Sequence, residues 1–233
     1  MTNITLRGIA WDHTRGFLPM VASAQRFHEL HPHVDIVWEK RSLQAFADAP
    51  IEVLAQTYDL LVIDHPFVGY AAAHPVLVPL EQHLDAAFLA DQAAHSVGAS
   101  EPSYWYDGHL WALAIDAATP VSAWRPDRLA APPQTWDELL ALARQGRVAV
   151  PAIPIDSLMN IYMLCIALGE TPFQHTTHMV SDAIGVQALT HLAELVHACH
   201  PDCLTRNPIR TYEALVRGDA DYCPFAYGYS NYA

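Results

Sequence analysis

The sequence predicts an α/β fold, and three observations predict it. β-rich segments alternate with amphipathic ones from Ile4 to Asp85. A crossover of short extended pieces and turns, closed by the stiff pair Pro132-Pro133, follows them. Beyond it the pattern is helix-heavy, with strand-like stretches at 147–154 and 221–226. Strand–helix–strand order implies right-handed βαβ crossovers and a parallel sheet.

The elements justify themselves in turn. ITLRGIAW (4–11) is rich in β-formers and ends in the polar turn Asp12-His13-Thr14-Arg15-Gly16. Phe17, Met20, Val21, Ala24, Phe27 and Leu30 recur at three- and four-residue spacing, which predicts a helix stopped by Pro32. VDIVWEKR (34–41) alternates as a second strand, with Val34, Ile36 and Trp38 on one side. Residues 43–56 read as a helix broken at Pro50. YDLLVID (58–64) is nearly continuous in apolar residues, as expected of a central strand covered on both faces. A short helix over 67–74 and a polar, helical connection after VLVPLEQHL complete this half.

The crossover starts with the turn signal Asp107-Gly108, after which LWALAI continues as a strand. Asp116 to Thr119 turns again, and PVSAWRP is a strand stopped by Pro126. Thr135 and Glu138 stand at the spacing of a capping box before LLALA. Then come a strand at 147–154, an apolar helix from Ser157 to Leu168 ended by Gly169, and an amphipathic helix from Ile184 to Ala198. Asn207-Pro208-Ile209 opens a helix that ends at Gly218, and a strand over 221–226 leads into YGYSNYA.

Composition excludes several classes. The chain has 233 residues, 52% hydrophobic and 16% charged, enough for a real core. With 12 Lys+Arg against 25 Asp+Glu the net charge is -13, which argues against nucleic acid and anionic membranes. Lys40 is the only lysine. The apolar runs are too short to span a bilayer, and the start MTNITLRGIAW lacks a basic and an apolar leader region. Four cysteines do not make a disulfide scaffold in a chain of this size. Cys165 and Cys223 read as core, while Cys199 and Cys203 are close enough to pair in an oxidising compartment without any need to.

In parallel α/β sheets, ligands gather at the carboxyl ends of the strands. Here those ends are Trp11-Asp12-His13, Arg41-Ser42 and Asp64-His65-Pro66, three polar or aromatic loops that together favour a site. No H-E-x-x-H, G-x-S-x-G, P-loop or G-x-G-x-x-G is present.

Several segments carry a family resemblance. Tyr106-Asp107-Gly108-His109-Leu110-Trp111-Ala112-Leu113, the turn at Asp116, Trp124-Arg125-Pro126-Asp127-Arg128-Leu129 and Pro133-Gln134-Thr135-Trp136-Asp137-Glu138-Leu139-Leu140 stand in order. Tyr58-Asp59-Leu60-Leu61 and Ala214-Leu215-Val216-Arg217-Gly218-Asp219-Ala220 flank them. This pattern resembles the family 1 extracellular solute-binding proteins, the ligand-capturing subunits of ABC importers; Thr135 to Leu139 is its most specific part. Members of that family run longer, so the chain resembles one truncated at its C-terminus.

The resemblance implies a bilobal fold of the periplasmic-binding-protein type. Two α/β lobes are joined by extended hinge strands, the first over 1–115, the hinge and an incomplete, helix-rich second over 116–233. It implies capture of a small polar molecule, a sugar foremost, in the inter-lobe cleft by hinge closure, with no chemistry and no cofactor. Such clefts combine aromatic walls with a few orienting polar groups. The candidates are Trp11, Asp12, His13, Arg15, His65 and Phe67 in the first lobe, Asp116 and Trp124 at the crossover, and Asn160, Tyr227 and Tyr229 in the second, with Asp156, Tyr162 and Asn231 beside them. Arg15 has two readings, a contact to a ligand carboxylate or hydroxyl pair and a cap on its own turn. Asp116 is a cleft residue by analogy or an ordinary turn Asp. The tyrosines at 222, 227, 229 and 232 are a cleft wall or core. The implied partners are a solute and ABC permease subunits, with no membrane insertion; the protein is expected to be a monomer, periplasmic or extracellular.

Two alternatives remain open. One is a cytoplasmic ligand sensor with the same fold, consistent with the absence of a leader. The other is a metal-dependent enzyme built on His197, Cys199, His200 and Cys203, although zinc sites usually show two separated pairs. His28, His31 and His33 also cluster, where solvated histidines at a helix exit are ordinary.

Overall fold

Strand β1, Ile4–Trp11, runs between two parallel neighbours in a three-stranded sheet. The computed structural model describes residues 3–42, 45, 49–64, 67–229 and 232. Strand β2, Val34–Arg41, pairs with β1 without a break from Ile4↔Val34 to Trp11↔Arg41. Strand β3, Leu60–Leu61, pairs on the other side at Gly8 and Ile9. The order β2-β1-β3 corrects the expectation that 58–64 is the central strand: β1 is central and β3 is an edge of the described sheet. The run is apolar because Val62 enters the core with Ala10 and Trp11, which an edge position also demands.

Helix α1, Thr14–Leu30, packs on β1 and β2. It starts three residues before the expected Phe17 because the His13 side chain caps it, accepting from the Arg15 backbone N–H. Gly16 is buried at this first turn, where a Cβ would run into the Trp11 ring. Short helices α2 (Ile51–Ala55) and α3 (Phe67–Ala73) follow, and Asp85 caps α4, Ala86–His95, through Ala87 N–H at 2.8 Å.

The Asp107-Gly108 turn joins strands β4 (Trp105–Tyr106) and β5 (His109–Leu110) as a hairpin. Both turn residues have positive φ, 51° and 79°, the signature of a type I′ turn. The strand expected through LWALAI stops at Leu110, and residues 111–119 carry no regular element. Trp111 closes the hairpin instead. It is buried, its backbone N–H donates to Tyr104 O at 3.1 Å, and its Nε1 donates to Tyr106 O at 3.0 Å.

Strand β6, Pro120–Trp124, pairs antiparallel with β7, Tyr222–Tyr227, with an irregularity between Val121 and Ala123. Helices α5 (Trp136–Arg144), α6 (Pro154–Ala167), α7 (Asp182–Ala198) and α8 (Pro208–Arg217) fall close to the spans their patterns predict. The capping box at Thr135 and Glu138 forms in both directions. Asn207 caps α8 by accepting from Arg210 N–H at 2.9 Å. The expected strand over 147–154 is a single parallel bridge, Val148↔Tyr222. Pro151 and Pro154 have no N–H to extend it, and Ala152 N–H donates to Cys203 O at 3.0 Å instead. The segment is nonetheless buried, with Val148 and Val150 in a core shared with Leu139, Leu142, Leu195 and Phe225. By residue contacts the chain divides into two units, Met1–Ala117 and Ala118–Ala233.

Candidate functional site

In the first unit the polar groups gather where β1 and β2 end, because all three strands are parallel and deliver their loops to one side. Trp11, the last residue of β1, is buried among Val62, Phe17, Met20 and Trp38. Asp12 accepts from Lys40 Nζ at 2.8 Å, an exposed pair across the ends of β1 and β2. His13 Nδ1 accepts from Arg15 N–H at 3.2 Å, which leaves the ring proton to Nε2. Burial, helped by the nearby Arg15 charge and opposed by Asp12, pushes the His13 pKa down, so the ring is neutral at neutral pH.

Arg15 points at the crossover. Its Nε donates to Asp116 Oδ2 at 2.7 Å, and its guanidinium carbon lies 5.9 Å from the Trp11 ring centre. The carboxylate that the Arg15 side chain reaches is that of Asp116, and its backbone N–H is tied to His13 in the cap of α1. Tyr104, packed against Val68, Ala71 and Trp111, lies within electrostatic reach of Asp116. Burial foremost, then the charges of Asp64 and Asp116, push its hydroxyl pKa up. Arg41 closes the side at the end of β2, its Nη2 donating to Val62 O at 3.2 Å; burial lowers its pKa against the opposing charge of Asp64. Arg41 stands in one of the three strand-end loops read as favouring a site, whereas Tyr104 was not among the candidates and gave only the faint signal of an aromatic opening the hairpin. His65 lies outside the described residues, and Phe67 is half-buried at the start of α3.

The second unit distributes its candidates differently. Asn160 is buried and its amide donates to Pro151 O at 2.9 Å. Asp156, in the first turn of α6, is 6% exposed; burial lifts its carboxyl pKa to about 7, and Oδ2 has no hydrogen-bond partner among the described residues. Tyr162 meets Phe173 edge-on at 5.1 Å. Tyr229 is core, 6.5 Å from Tyr212, whose ring also stacks with Tyr232. Tyr227 is half-buried opposite Pro120, and Trp124 is exposed at the end of β6. Asn231 lies outside the described residues.

The metal alternative loses its ligands to local roles. His197 bonds its own helix at Ala193 O, 2.7 Å away, and His200 caps the turn at Pro201–Thr205. Cys199 and Cys203 are buried, and burial lifts the Cys199 thiol to about 12. Among the described residues no group of three His, Cys, Asp or Glu is placed to hold a metal ion.

Comparison with known proteins fits this picture. Residues 22–207 match the family described as bacterial extracellular solute-binding protein. The chain belongs to that family. Solved structures agree on the fold. A solute-binding protein of an ABC transporter from Agrobacterium radiobacter K84, in complex with ribitol, superposes with a TM-score of 0.77 at 17% identity, over 97% of this chain and 61% of its own. The GacH receptor of Streptomyces glaucescens, solved unliganded and with acarbose, gives 0.75 at 15% identity, over 96% and 60%. The maltotriose-binding protein of Thermus thermophilus gives 0.66 at 18% identity, over 95% and 61%. These are bilobal periplasmic-binding-protein-type folds, and this member of the family spans about 61% of the first of them. No described helix of this family member is long and apolar enough to cross a membrane.

Proposed function

We propose that this chain is the solute-capturing part of an ABC importer and binds a small polyhydroxylated molecule, a sugar or polyol. The observation that carries the reading is the corner built by Trp11, His13, Arg15, Asp116 and Tyr104 in a member of a solute-binding family. Beside the buried Trp11 indole it has a neutral imidazole and hydrogen-bonding groups of both kinds, the set that orients a hydroxyl-rich ligand. Ribitol and maltotriose, held by two proteins of like fold, are ligands of this class. The protein performs no chemistry on its solute, works outside the cytoplasm and delivers to permease subunits as a monomer. The second-unit contributions proposed are Trp124 and Tyr227, with His65 and Phe67 completing the first; Tyr229 and Asn160 are buried and support these from behind.

A thermal-shift screen of sugars, polyols, amines and organic acids tests this. A ligand at 100 times its Kd stabilises the folded state by about 2.7 kcal/mol, which moves the melting temperature by roughly 5 °C or more. A shift with a sugar or polyol supports the reading. A shift with a divalent metal and with none of these solutes overturns it.

A further inference from the structure

Arg15 and Asp116 form an ion pair, with Nε 2.7 Å from Oδ2. We propose that Asp116 is a specificity-determining residue: its carboxylate, held on Arg15, excludes anionic solutes from this corner. The inference rests on the proposed capture function and deepens it.

The geometry supplies the argument. A site made for carboxylates presents an arginine fork whose N–H groups face the ligand. Here the Nε of Arg15 already donates to Asp116 Oδ2 at 2.7 Å. Both side chains are partly buried, 23% and 31% exposed, so solvent and salt screen them less than a surface pair. An incoming carboxylate meets an arginine whose charge is compensated and, beside it, a carboxylate of like sign. The surroundings repeat the arrangement. Lys40 stands 2.8 Å from Asp12, and Asp64 lies close enough to Arg41 to oppose the effect of its burial. Arg15 and Lys40 thus each pair with a carboxylate at this end of the sheet, and Arg41 lies within electrostatic reach of a third. Hydroxyl groups suit such a place, since each both donates and accepts. Discrimination arises from the repulsive element as much as from the attractive ones.

The pairing links residues 101 apart in sequence, and residues 111–119, in which Asp116 sits, carry no regular element. The ion pair therefore also fixes that carboxylate in place. Without it, Asp116 would belong to an irregular stretch with no strand to orient it.

The test compares two solutes of one carbon skeleton, with and without a carboxylate: ribitol against ribonate, and maltose against maltobionate. Calorimetric titration of wild-type protein is expected to show the neutral member of a pair binding at least about tenfold tighter. Asp116→Asn should reduce that ratio by about tenfold or invert it, whatever happens to the affinities themselves. The swapped pair Arg15→Asp with Asp116→Arg should restore the preference. Far-UV circular dichroism checks folding, and Asp116→Ser carries the same reading if Asp116→Asn does not fold. A wild-type protein that binds the neutral solute, with a ratio unmoved in Asp116→Asn and Asp116→Ser, overturns the inference and leaves the capture function standing. If no sugar or polyol of the thermal-shift screen, these pairs included, binds the wild type, the capture function itself fails, and the inference with it.

Discussion

Gly16 lies so close to the indole of Trp11 that a Cβ at position 16 would overlap the ring. The contact joins the first turn of α1 to the end of β1, the two places that supply Arg15 and Trp11. Gly16→Ala should force the indole or the helix start to move and cost about 1–3 kcal/mol. Chemical denaturation reads the loss, and solute binding in the same variant should fall with it.

Asp221 anchors the second unit. It is 2% exposed, and Arg147 Nε donates to its Oδ2 at 2.5 Å. Arg128 Nε lies 2.8 Å from Oδ1, close enough to pair but off the direction of its N–H. Removing this carboxylate strands two cations that bridge the end of β6, the segment before Val148 and the start of β7. Asp221→Ala should destabilise by about 2 kcal/mol, less than a fully buried pair because both arginines are partly exposed. The midpoint of a urea melt checks it, and an unchanged midpoint would show that the node is dispensable.

Thr135 and Glu138 cap one another at the start of α5, each accepting the other's backbone N–H at 3.2 Å. Thr135→Ala should cost about 1 kcal/mol. Thr135→Ser should cost almost nothing. The pair of variants separates the loss of the cap from a general disturbance.

Asp156 gives the second unit a pH dependence of distinctive sign. Burial raises its carboxyl pKa to about 7, above the roughly 3.9 of an unfolded Asp. Between those values the folded state binds the proton more than the unfolded chain does. Its contribution is therefore complete below about pH 4 and is lost as pH rises toward 7, with a slope of at most about 1.4 kcal/mol per pH unit. Asp156→Asn should flatten that part of the stability–pH curve and make the protein more stable at neutral pH. Melting temperatures from pH 4 to 8 read both effects.

Local signals were legible in the sequence. The Asp107-Gly108 turn, the capping box at Thr135 and the Asn207 start and Gly218 end of α8 each depend on residues within a few positions of one another. The alternation of strand and helix in the first unit was legible for the same reason. Distant partners were not. Whether 147–154 became a strand depended on Tyr222 and on prolines that end the ladder after one bridge. The centre of the sheet depended on pairing order, which an apolar run such as 58–64 does not encode. Trp11, His13 and Arg15 were legible as a strand-end loop, and Asp116 as a turn residue. That Arg15 would pair with Asp116, and that Tyr104 would join them, follows from the folded first unit alone.

The most direct test of the account is calorimetric titration of a sugar or polyol, with ribitol, maltose and maltotriose as the first probes, into wild-type protein and into Arg15→Ala. The account predicts saturable binding of at least one of them by the wild type and a loss of about tenfold or more in Arg15→Ala, which removes the proposed solute contact and the partner of Asp116. Binding of equal strength in both proteins, or none by the wild type to any sugar or polyol, would contradict it.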